Sequence, residues 1–261
     1  ELILHAIEHG YREFIIGIGG SATNDAGLGM LQALGFRFYD QNGEILGKGG
    51  QILDQIVAID FSSVHPALKD ARFTIACDVR NPFSGPEGAA YVFARQKGAD
   101  GAMIEKLDAG MKRFSRLIHS TTGREITEVA GAGAAGGLGG AFLAFLNAEL
   151  KPGIELLLRT LKFDEKIKDA DLIITGEGRV DRQSVMGKVP FGILEEANKQ
   201  GIPVIVVAGS IADTEVLNKA GFRGIFSIVP SPMSLEVAMK PEAAKNNISR
   251  TVAQIISLAT L

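Results

Sequence analysis

A glycine-rich stretch near the start of the chain has the composition of an anion-binding loop. Residues 17–25 have the sequence GIGGSATND and lie between a strand predicted over 13–18 and a helix predicted over 26–34. Glycine permits a sharp turn, and free backbone N–H groups at a helix start favour an anion such as phosphate. We predict that Asp25 caps the helix or contacts a metal ion, and an ordinary tight turn is the alternative for the loop. The residues predicted to bind the anion are Gly19, Gly20, Ser21, Thr23 and Asn24.

The same loop supports a second interpretation. Its spacing Gly17-x-Gly19-x-x-Ala22 fits the loose dinucleotide-binding fingerprint. Asp40 follows a short strand predicted over 36–39, where a ribose-binding acid would lie. This pattern predicts an alternative function, a nicotinamide-dependent oxidoreductase of a small hydroxy acid.

Two further candidates lie after predicted strands in the middle of the chain. Asp78 ends a strand predicted over 73–79, and open parallel sheets bind ligands at that end. It is placed to act as a base or metal ligand, or to form a turn before Pro82. Lys97 follows a predicted strand at 91–94, and it pairs with phosphate or is an ordinary solvated lysine.

A second glycine-rich stretch, GAGAAGGLGG at 131–140, precedes a helix predicted to end near Leu150. We predict that Gly136 and Gly137 form another wall of the anion pocket. A flexible linker or a close approach of two helices would require the same glycines.

The last charged candidates are in the sequence TGEGRVD at 175–181, after a strand predicted over 171–176. Glu177, Arg179 and Asp181 place two carboxylates around one guanidinium, as in a site or in a surface salt bridge. Carboxylates, Lys/Arg side chains and glycine-rich backbone together suit phosphoryl transfer, which needs an anion cradle, Mg²⁺ and a base.

Composition limits the classes of protein that fit this sequence. The 261 residues are 46% hydrophobic and 22% charged with a net charge of -3, the balance of an ordered globular protein. We predict no nucleic-acid or membrane partner, because no basic block or long apolar run is present. The single cysteine, Cys77, excludes an intrachain disulfide and a cysteine zinc site, and fits a reducing cytoplasm.

The predicted elements alternate between strands and helices, which indicates α/β domains. Continuously apolar strands between helices indicate a parallel sheet covered on both faces. In the last third the strands are predicted over 171–176, 203–209 and 224–229, and the helices over 188–199, 212–220 and 241–260. The charged stretch 162–171 predicts a boundary between two domains at 1–168 and 169–261.

Taken together, the motifs resemble the type I glycerate kinase family along essentially the whole chain. The departures are mild, such as Ala26 for a usual Gly and Ser184 for a usual Thr. The matching stretches are 16–35, 77–89, 96–99, 131–140, 171–190, 203–210 and 226–239.

The resemblance implies a fold. The C-terminal domain would be part of a flavodoxin-like parallel sheet, and the other domain would be inserted into it. The family begins with a strand and an A-P-D-S-F-K-type loop, whereas this sequence starts at Glu1 within a predicted helix. We therefore expect a chain that lacks the family's N-terminal segment, and a catalytically inactive fragment is an alternative.

The resemblance also implies an activity, the ATP- and Mg²⁺-dependent phosphorylation of D-glycerate, with 2-phosphoglycerate as the expected product. Asp78 would be the base, and Lys97 and Arg179 would neutralise phosphate charge or hold the glycerate carboxylate. Glu177 and Asp181, with Asp25, are the predicted Mg²⁺ ligands. The expected protein is a cytoplasmic monomer or homodimer that acts on small molecules.

Overall fold

The protein folds into two compact units, which we describe separately. The computed structural model describes residues 1–185 and 187–259, apart from the side chain at position 183. The N-terminal unit is Glu1–Gly153 and the C-terminal unit is Ile154–Leu261. The mixed α/β class predicted from the sequence is confirmed.

The N-terminal unit contains five strands in two sheets. Its main sheet is parallel with the order β1-β4-β5, and β2 pairs antiparallel with β3 in a separate ribbon. The strands are β1 (Glu13–Gly17), β2 (Arg37–Tyr39), β3 (Ala58–Asp60), β4 (Arg72–Ala76) and β5 (Glu149–Lys151). The helices are α1 (Leu2–Glu8), α2 (Leu28–Ala33), α3 (Gly101–Thr122) and α4 (Ala134–Phe145), with shorter turns at Gly50–Ile52, Pro66–Asp70, Ala90–Ala94 and Arg95–Lys97.

The core of the N-terminal unit is built on aromatic side chains. Phe38, Phe114 and Phe142 are almost completely buried. Burial of each such side chain stabilises the fold by about 1.5–3 kcal/mol relative to exposure. Strand β4 contributes Phe73 and Ile75 from one face, the two-residue period expected of a half-buried strand. This core fixes the end of β4, from which Asp78 follows.

The C-terminal unit has one parallel sheet with the order β6-β7-β8. The strands are β6 (Ile173–Val180), β7 (Val204–Ile211) and β8 (Gly224–Ser227). The helices are α5 (Gly153–Thr160), α6 (Phe163–Lys166), α7 (Val189–Lys199), α8 (Thr214–Ala220), α9 (Leu235–Ala238) and α10 (Pro241–Ala259). Val204 and Val206 of β7 are fully buried, as expected for the central strand of a covered sheet.

The boundary between the units lies at 153/154, whereas the charged stretch had indicated 168/169. The physical reason is the packing of α5. Ile154 lies so close to Gly192 of α7 that a Cβ on that glycine would be 2.5 Å from the isoleucine side chain. The charged residues after α5 therefore form a solvated surface of the C-terminal unit and not a linker.

Several predicted elements differ from the structure. Residues 91–94, predicted as a strand, lie in a π-helical stretch, Ala90–Ala94. Residues 149–151, predicted as helix, form β5, because the backbone pairs with β4 at Thr74–Ala76. Strand β6 continues to Val180, beyond its predicted end at 176, because Glu177 and Arg179 stay in register with β7.

Among the helices that the structure describes, none combines the length and apolarity that a bilayer span requires.

Candidate active site

A cavity that includes polar and charged side chains in its lining lies at the carboxyl ends of β1 and β4 in the N-terminal unit. Its volume is about 250 Å³. Open parallel sheets hold their ligands at this end of the strands. The lining residues are Ile18, Gly19, Gly20, Ser21, Ala76, Cys77, Asp78, Val79, Phe93, Gln96, Lys97, Ala134 and Ala135. The cavity thus unites the first glycine loop with Asp78 and Lys97, three features that the sequence had singled out separately.

Lys97 is anchored to the glycine loop. Its Nζ donates to Ser21 Oγ at 2.8 Å and to the Thr23 carbonyl at 2.5 Å. Partial burial lowers the pKa of Lys97, and the nearby Asp25 carboxylate opposes that shift. An ammonium group with three donors retains one donor after these two bonds. Lys97 is therefore a fixed, partly desolvated cation and not a solvated surface lysine.

The backbone of the loop offers donors beside this cation. The N–H groups of Gly19 and Gly20 donate to no acceptor in the part of the chain that the structure describes. Gly20 has φ +71°, a conformation that favours glycine, and a Cβ at Gly19 or Gly20 would meet no atom within 4 Å. A ligand can therefore approach these two peptide groups closely.

Asp78 follows β4 and is exposed at the cavity. Its Oδ1 accepts a hydrogen bond of 2.8 Å from the backbone N–H of Gly153. Its Oδ2 accepts no hydrogen bond from the residues that the structure describes. One oxygen thus fixes the carboxylate, and the other is available to accept a proton.

Cys77 also lines the cavity, although the sequence pattern had given it no role there. Its thiol donates to the Val79 carbonyl at 3.3 Å. Burial raises the pKa of the Cys77 thiol, with a smaller contribution from the Asp78 charge. The group therefore remains a protonated, weakly nucleophilic wall of the cavity.

Three polar residues of the glycine loop do not line the cavity, and for Asp25 the contacts support capping, one of its two predicted roles. Asn24 does not line the cavity, because its Nδ2 lies 3.6 Å from the Met111 sulfur in the core. Asp25 is buried, and its two oxygens accept the N–H groups of Gly27 and Gly29 at 3.1 and 3.0 Å. Asp25 is therefore a local cap and not a free metal ligand. Thr23 contributes its carbonyl oxygen to Lys97, whereas its side chain had been predicted to bind phosphate.

The helix after the loop also differs from expectation. Helix α2 begins only at Leu28, after Gly27 with φ +77°. The turn at 26–27 separates the loop from the helix, so the loop does not provide the first N–H groups of α2. The donors of this site are loop peptide groups, without a helix dipole behind them.

Gly136 and Gly137 do not line the cavity. Both have positive φ at the start of α4, where they interrupt the helix. A Cβ on Gly136 would lie 2.2 Å from the Thr23 carbonyl oxygen, and one on Gly137 would lie 2.8 Å from Ala26 Cα. They are thus close-packing positions that hold the first glycine loop in place, and the wall itself is formed by Ala134 and Ala135.

In the C-terminal unit, four charged residues form what we call the ion-pair cluster, composed of Glu177, Arg179, Asp181 and Lys188. Arg179 Nε lies 3.3 Å from Asp181 Oδ2, and Lys188 Nζ lies 3.9 Å from Glu177 Oε1. Each carboxylate thus has a cationic neighbour within its own unit.

A buried serine connects the two carboxylate residues of the ion-pair cluster. Ser184 is fully buried, and its Oγ donates to Glu177 Oε2 at 3.2 Å and accepts from the Asp181 N–H at 3.1 Å. The sequence pattern gave Ser184 no such role, because the contact depends on a turn that brings residue 184 back to the strand end.

The glycines around Glu177 have a packing explanation. A Cβ on Gly176 would lie 3.1 Å from the Val207 carbonyl oxygen of β7, whereas Gly178 has open space beside it. The close packing beside Glu177 therefore arises from the neighbouring strand. The charged residues extend along a paired strand and not along a loop.

Within the part of the chain that the structure describes, no three His, Cys, Asp or Glu side chains are grouped as a metal site. Mg²⁺ usually binds one or two protein carboxylates together with substrate phosphates, so such a group is not required for it. Glu177 and Asp181 offer oxygen donors of this kind, and Ser184 contacts the carboxylate of Glu177 and the backbone of Asp181.

The order of the strands does not fit the alternative function of a nicotinamide-dependent oxidoreductase. A dinucleotide fold needs the second strand beside the first in one parallel sheet. Here β2 pairs with β3 in a separate antiparallel ribbon. Asp40 closes a local turn, accepting the N–H groups of Asn42 and Glu44, and the Glu44 hydrogen bond lowers the pKa of Asp40. That carboxylate serves a turn and not a ribose.

The parallel sheets and the strand-end cavity define an α/β protein of the open-sheet, ligand-binding class. Comparison with known proteins identifies its family. The profile of the glycerate kinase family matches residues 1–260, so the chain belongs to that family. It is therefore an enzyme of the kinase type that phosphorylates glycerate, with ATP as the implied co-substrate.

Individual relatives agree with this result. A glycerate kinase from Halalkalibacterium halodurans is 46% identical over 255 residues, which cover 95% of this chain and 67% of that protein. A glycerate 2-kinase from Escherichia coli K12 is 47% identical over 251 residues, which cover 96% and 65%. A crystal structure from Salmonella typhimurium LT2, solved as a provisional glycerate kinase 2, superimposes with a TM-score of 0.81 at 42% identity, covering 99% of this chain and 68% of that one. This chain thus spans about two thirds of each relative.

Proposed function

We propose that this protein transfers the γ-phosphoryl group of ATP to a hydroxyl of D-glycerate with Mg²⁺, giving 2-phosphoglycerate and ADP. The observation that carries the proposal is the cavity, where one cation, one carboxylate and glycine N–H groups without a partner among the described residues meet at two strand ends. The name of the Escherichia coli relative, glycerate 2-kinase, supports the position of transfer.

In this proposal Asp78 is the general base. The attacking hydroxyl must lose its proton as its oxygen bonds to phosphorus and the bond from the γ-phosphorus to the ADP oxygen breaks. Asp78 Oδ2 accepts that proton, while the Gly153 N–H holds Oδ1 and keeps the carboxylate oriented. A positioned base of this kind contributes about 10²–10⁴-fold to rate.

The glycine loop and Lys97 carry the electrostatic part of the reaction. The N–H groups of Gly19 and Gly20 hold oxygens of the transferred phosphoryl group, since they have no partner in the described part of the chain. Lys97 adds a positive charge that Ser21 and Thr23 hold in one place, and this charge neutralises phosphate or holds the glycerate carboxylate. Preorganised donors of this kind need no rearrangement as charge develops.

The charged residues of the C-terminal unit have proposed roles in the same reaction. Glu177 and Asp181 hold Mg²⁺, and Arg179 neutralises phosphate charge. When bound, Mg²⁺ neutralises the phosphate oxygens of the nucleotide. The single cysteine supports our further proposal of a cytoplasmic enzyme, which acts as a monomer or homodimer.

The test is ADP release by the 261-residue chain with ATP and D-glycerate, with and without Mg²⁺. We expect release that depends on both D-glycerate and Mg²⁺, and a ³¹P spectrum of the product that matches 2-phosphoglycerate. A 3-phosphoglycerate product would overturn the regiochemistry alone. Absence of glycerate-dependent release from a folded chain would overturn the proposed activity.

A further inference from the structure

The cavity of the N-terminal unit has two charged side chains in its lining, the ammonium of Lys97 and the carboxylate of Asp78. A hydroxy acid carries the complementary pair, a carboxylate for a cation and a hydroxyl for a base. We infer that this cavity holds the hydroxy acid, that only the terminal phosphoryl group of the nucleotide reaches its glycine loop, and that Lys97 selects the hydroxy acid by pairing with its carboxylate. The inference rests on the proposed function, because it assigns one of the two substrates of that reaction to this cavity.

The size of the cavity supports a small ligand. Its volume is about 250 Å³. Pockets that enclose drug-sized ligands measure about 300–1,000 Å³. A three-carbon hydroxy acid fits within this cavity, whereas a nucleotide with base, ribose and three phosphates exceeds it. Only the terminal phosphoryl group of ATP needs to reach the glycine loop.

The charge balance points in the same direction. One lysine and one aspartate give the lining a net charge near zero. A triphosphate would bring several negative charges to a single ammonium and next to the Asp78 carboxylate, and like charges at short range repel. A monocarboxylate brings one negative charge, which the lysine balances.

Lys97 is built to act as the selecting group. Ser21 Oγ and the Thr23 carbonyl take two of its three N–H donors and fix the position of the ammonium. No described residue accepts the third donor. A cation that is already partly desolvated loses less hydration when a carboxylate binds, which strengthens the charge-assisted hydrogen bond.

Asp78 is the second charged group of the cavity, and its proposed role is to bind the hydroxyl of the substrate. Its Oδ2 accepts no hydrogen bond from the described part of the chain and is free for a hydroxyl. Asp78 would recognise the alcohol and Lys97 the acid, so the pair distinguishes a hydroxy acid from a polyol of the same length. Glycerol is therefore the matched poor substrate, because it keeps the hydroxyls and lacks the carboxylate.

The experiment compares the wild-type chain with Lys97→Met and with the milder Ser21→Ala, which removes one hydrogen-bond partner of the ammonium. Steady-state kinetics are measured with D-glycerate, with glycerol and with ATP, and D-glycerate binding is measured by calorimetry without ATP. Lys106→Met is the matched control, because Lys106 lies on the exposed surface of α3 beside Asp54. Circular dichroism verifies that every variant is folded.

We expect Lys97→Met to raise the KM and the calorimetric Kd for D-glycerate roughly 10- to 100-fold, the usual range for loss of a hydrogen bond to a charged group. The KM for ATP should stay within about twofold, and the preference for D-glycerate over glycerol should fall by the same factor as the Kd rises. Ser21→Ala should show a smaller change of the same kind. Lys106→Met should match the wild type.

Two results would overturn the inference. One is a higher KM for ATP with unchanged affinity for D-glycerate, which would mean that Lys97 binds the nucleotide. The other is unchanged affinity for both substrates. If Lys97→Met fails to fold, Ser21→Ala decides by the same criteria. Failure of the proposed function is distinguishable, because glycerate would then bind to the wild type and lose affinity in Lys97→Met without any ADP release.

Discussion

The cavity of the N-terminal unit and the ion-pair cluster of the C-terminal unit use the same types of side chain in different states of pairing. Lys97 is held by neutral oxygens, and Asp78 by a backbone N–H, so each charge remains available to a ligand. Arg179 and Glu177 each have an oppositely charged neighbour in their own unit. Residue type alone does not show which charged groups already have an oppositely charged partner, whereas the contacts in the folded structure do.

The largest effect should come from the one carboxylate that lines the cavity. We expect Asp78→Asn to lower turnover about 10²- to 10⁴-fold, because the amide keeps the shape of the side chain and cannot accept the proton. The affinity for ATP should stay near the wild-type value. Glu105→Gln, on the exposed surface of α3, removes the same charge and should leave turnover unchanged.

If Asp78→Asn keeps normal turnover, the base is another group and the contrast between the two regions loses its main support. The measurement is a full kinetic profile against D-glycerate and ATP, with both variants prepared side by side.

The next effect tests how the cavity is held. Gly136→Ala should destabilise the protein by about 2–5 kcal/mol, since it adds backbone strain at φ +72° and a contact with the Thr23 carbonyl. Urea unfolding measures this loss. Gly47→Ala is the control, because a Cβ there meets nothing within 4 Å and the backbone is not left-handed. Equal stability of the two variants would mean that Gly136 does not brace the loop.

A smaller effect is expected at the buried serine of the ion-pair cluster. Ser184→Ala leaves Glu177 Oε2 and the Asp181 N–H without this partner, which should cost about 1–3 kcal/mol of stability. Ser184→Thr keeps the hydroxyl and should recover most of that loss.

The activity readout for Ser184 is the concentration of Mg²⁺ that gives half-maximal turnover. It should rise in Ser184→Ala and return in Ser184→Thr if the serine positions the Mg²⁺ carboxylates. A loss of stability with an unchanged Mg²⁺ requirement would assign Ser184 to the fold alone.

Much of the fold could be predicted from local sequence patterns. Apolar runs correctly indicated β1, β6, β7 and β8. The elements that were wrong depend on partners distant in sequence. Strand β5 exists because Thr74–Ala76 of β4 pairs with it, and β6 extends because β7 continues beside it. Neither partner can be read from the segment itself.

The candidate site could be predicted from the sequence only in part, because long-range packing also determines which side chains line the cavity. The pattern of glycines next to polar residues singled out Gly19, Gly20 and Ser21, and these residues line the cavity together with Lys97. The direction in which Asn24 points is decided by packing against Met111, which is 87 residues away. The sequence shows which residue types are present in the loop. Packing in the folded core determines which of those side chains face the cavity.

The measurement that tests the central claim most directly is an amide NMR titration of the isotope-labelled 261-residue chain with D-glycerate. We predict saturable shifts concentrated at Gly19, Gly20 and the residues around Asp78 and Lys97, with no comparable shifts between Glu177 and Lys188. Shifts confined to the ion-pair cluster, or none at millimolar D-glycerate, would contradict the assignment of this cavity to the hydroxy acid.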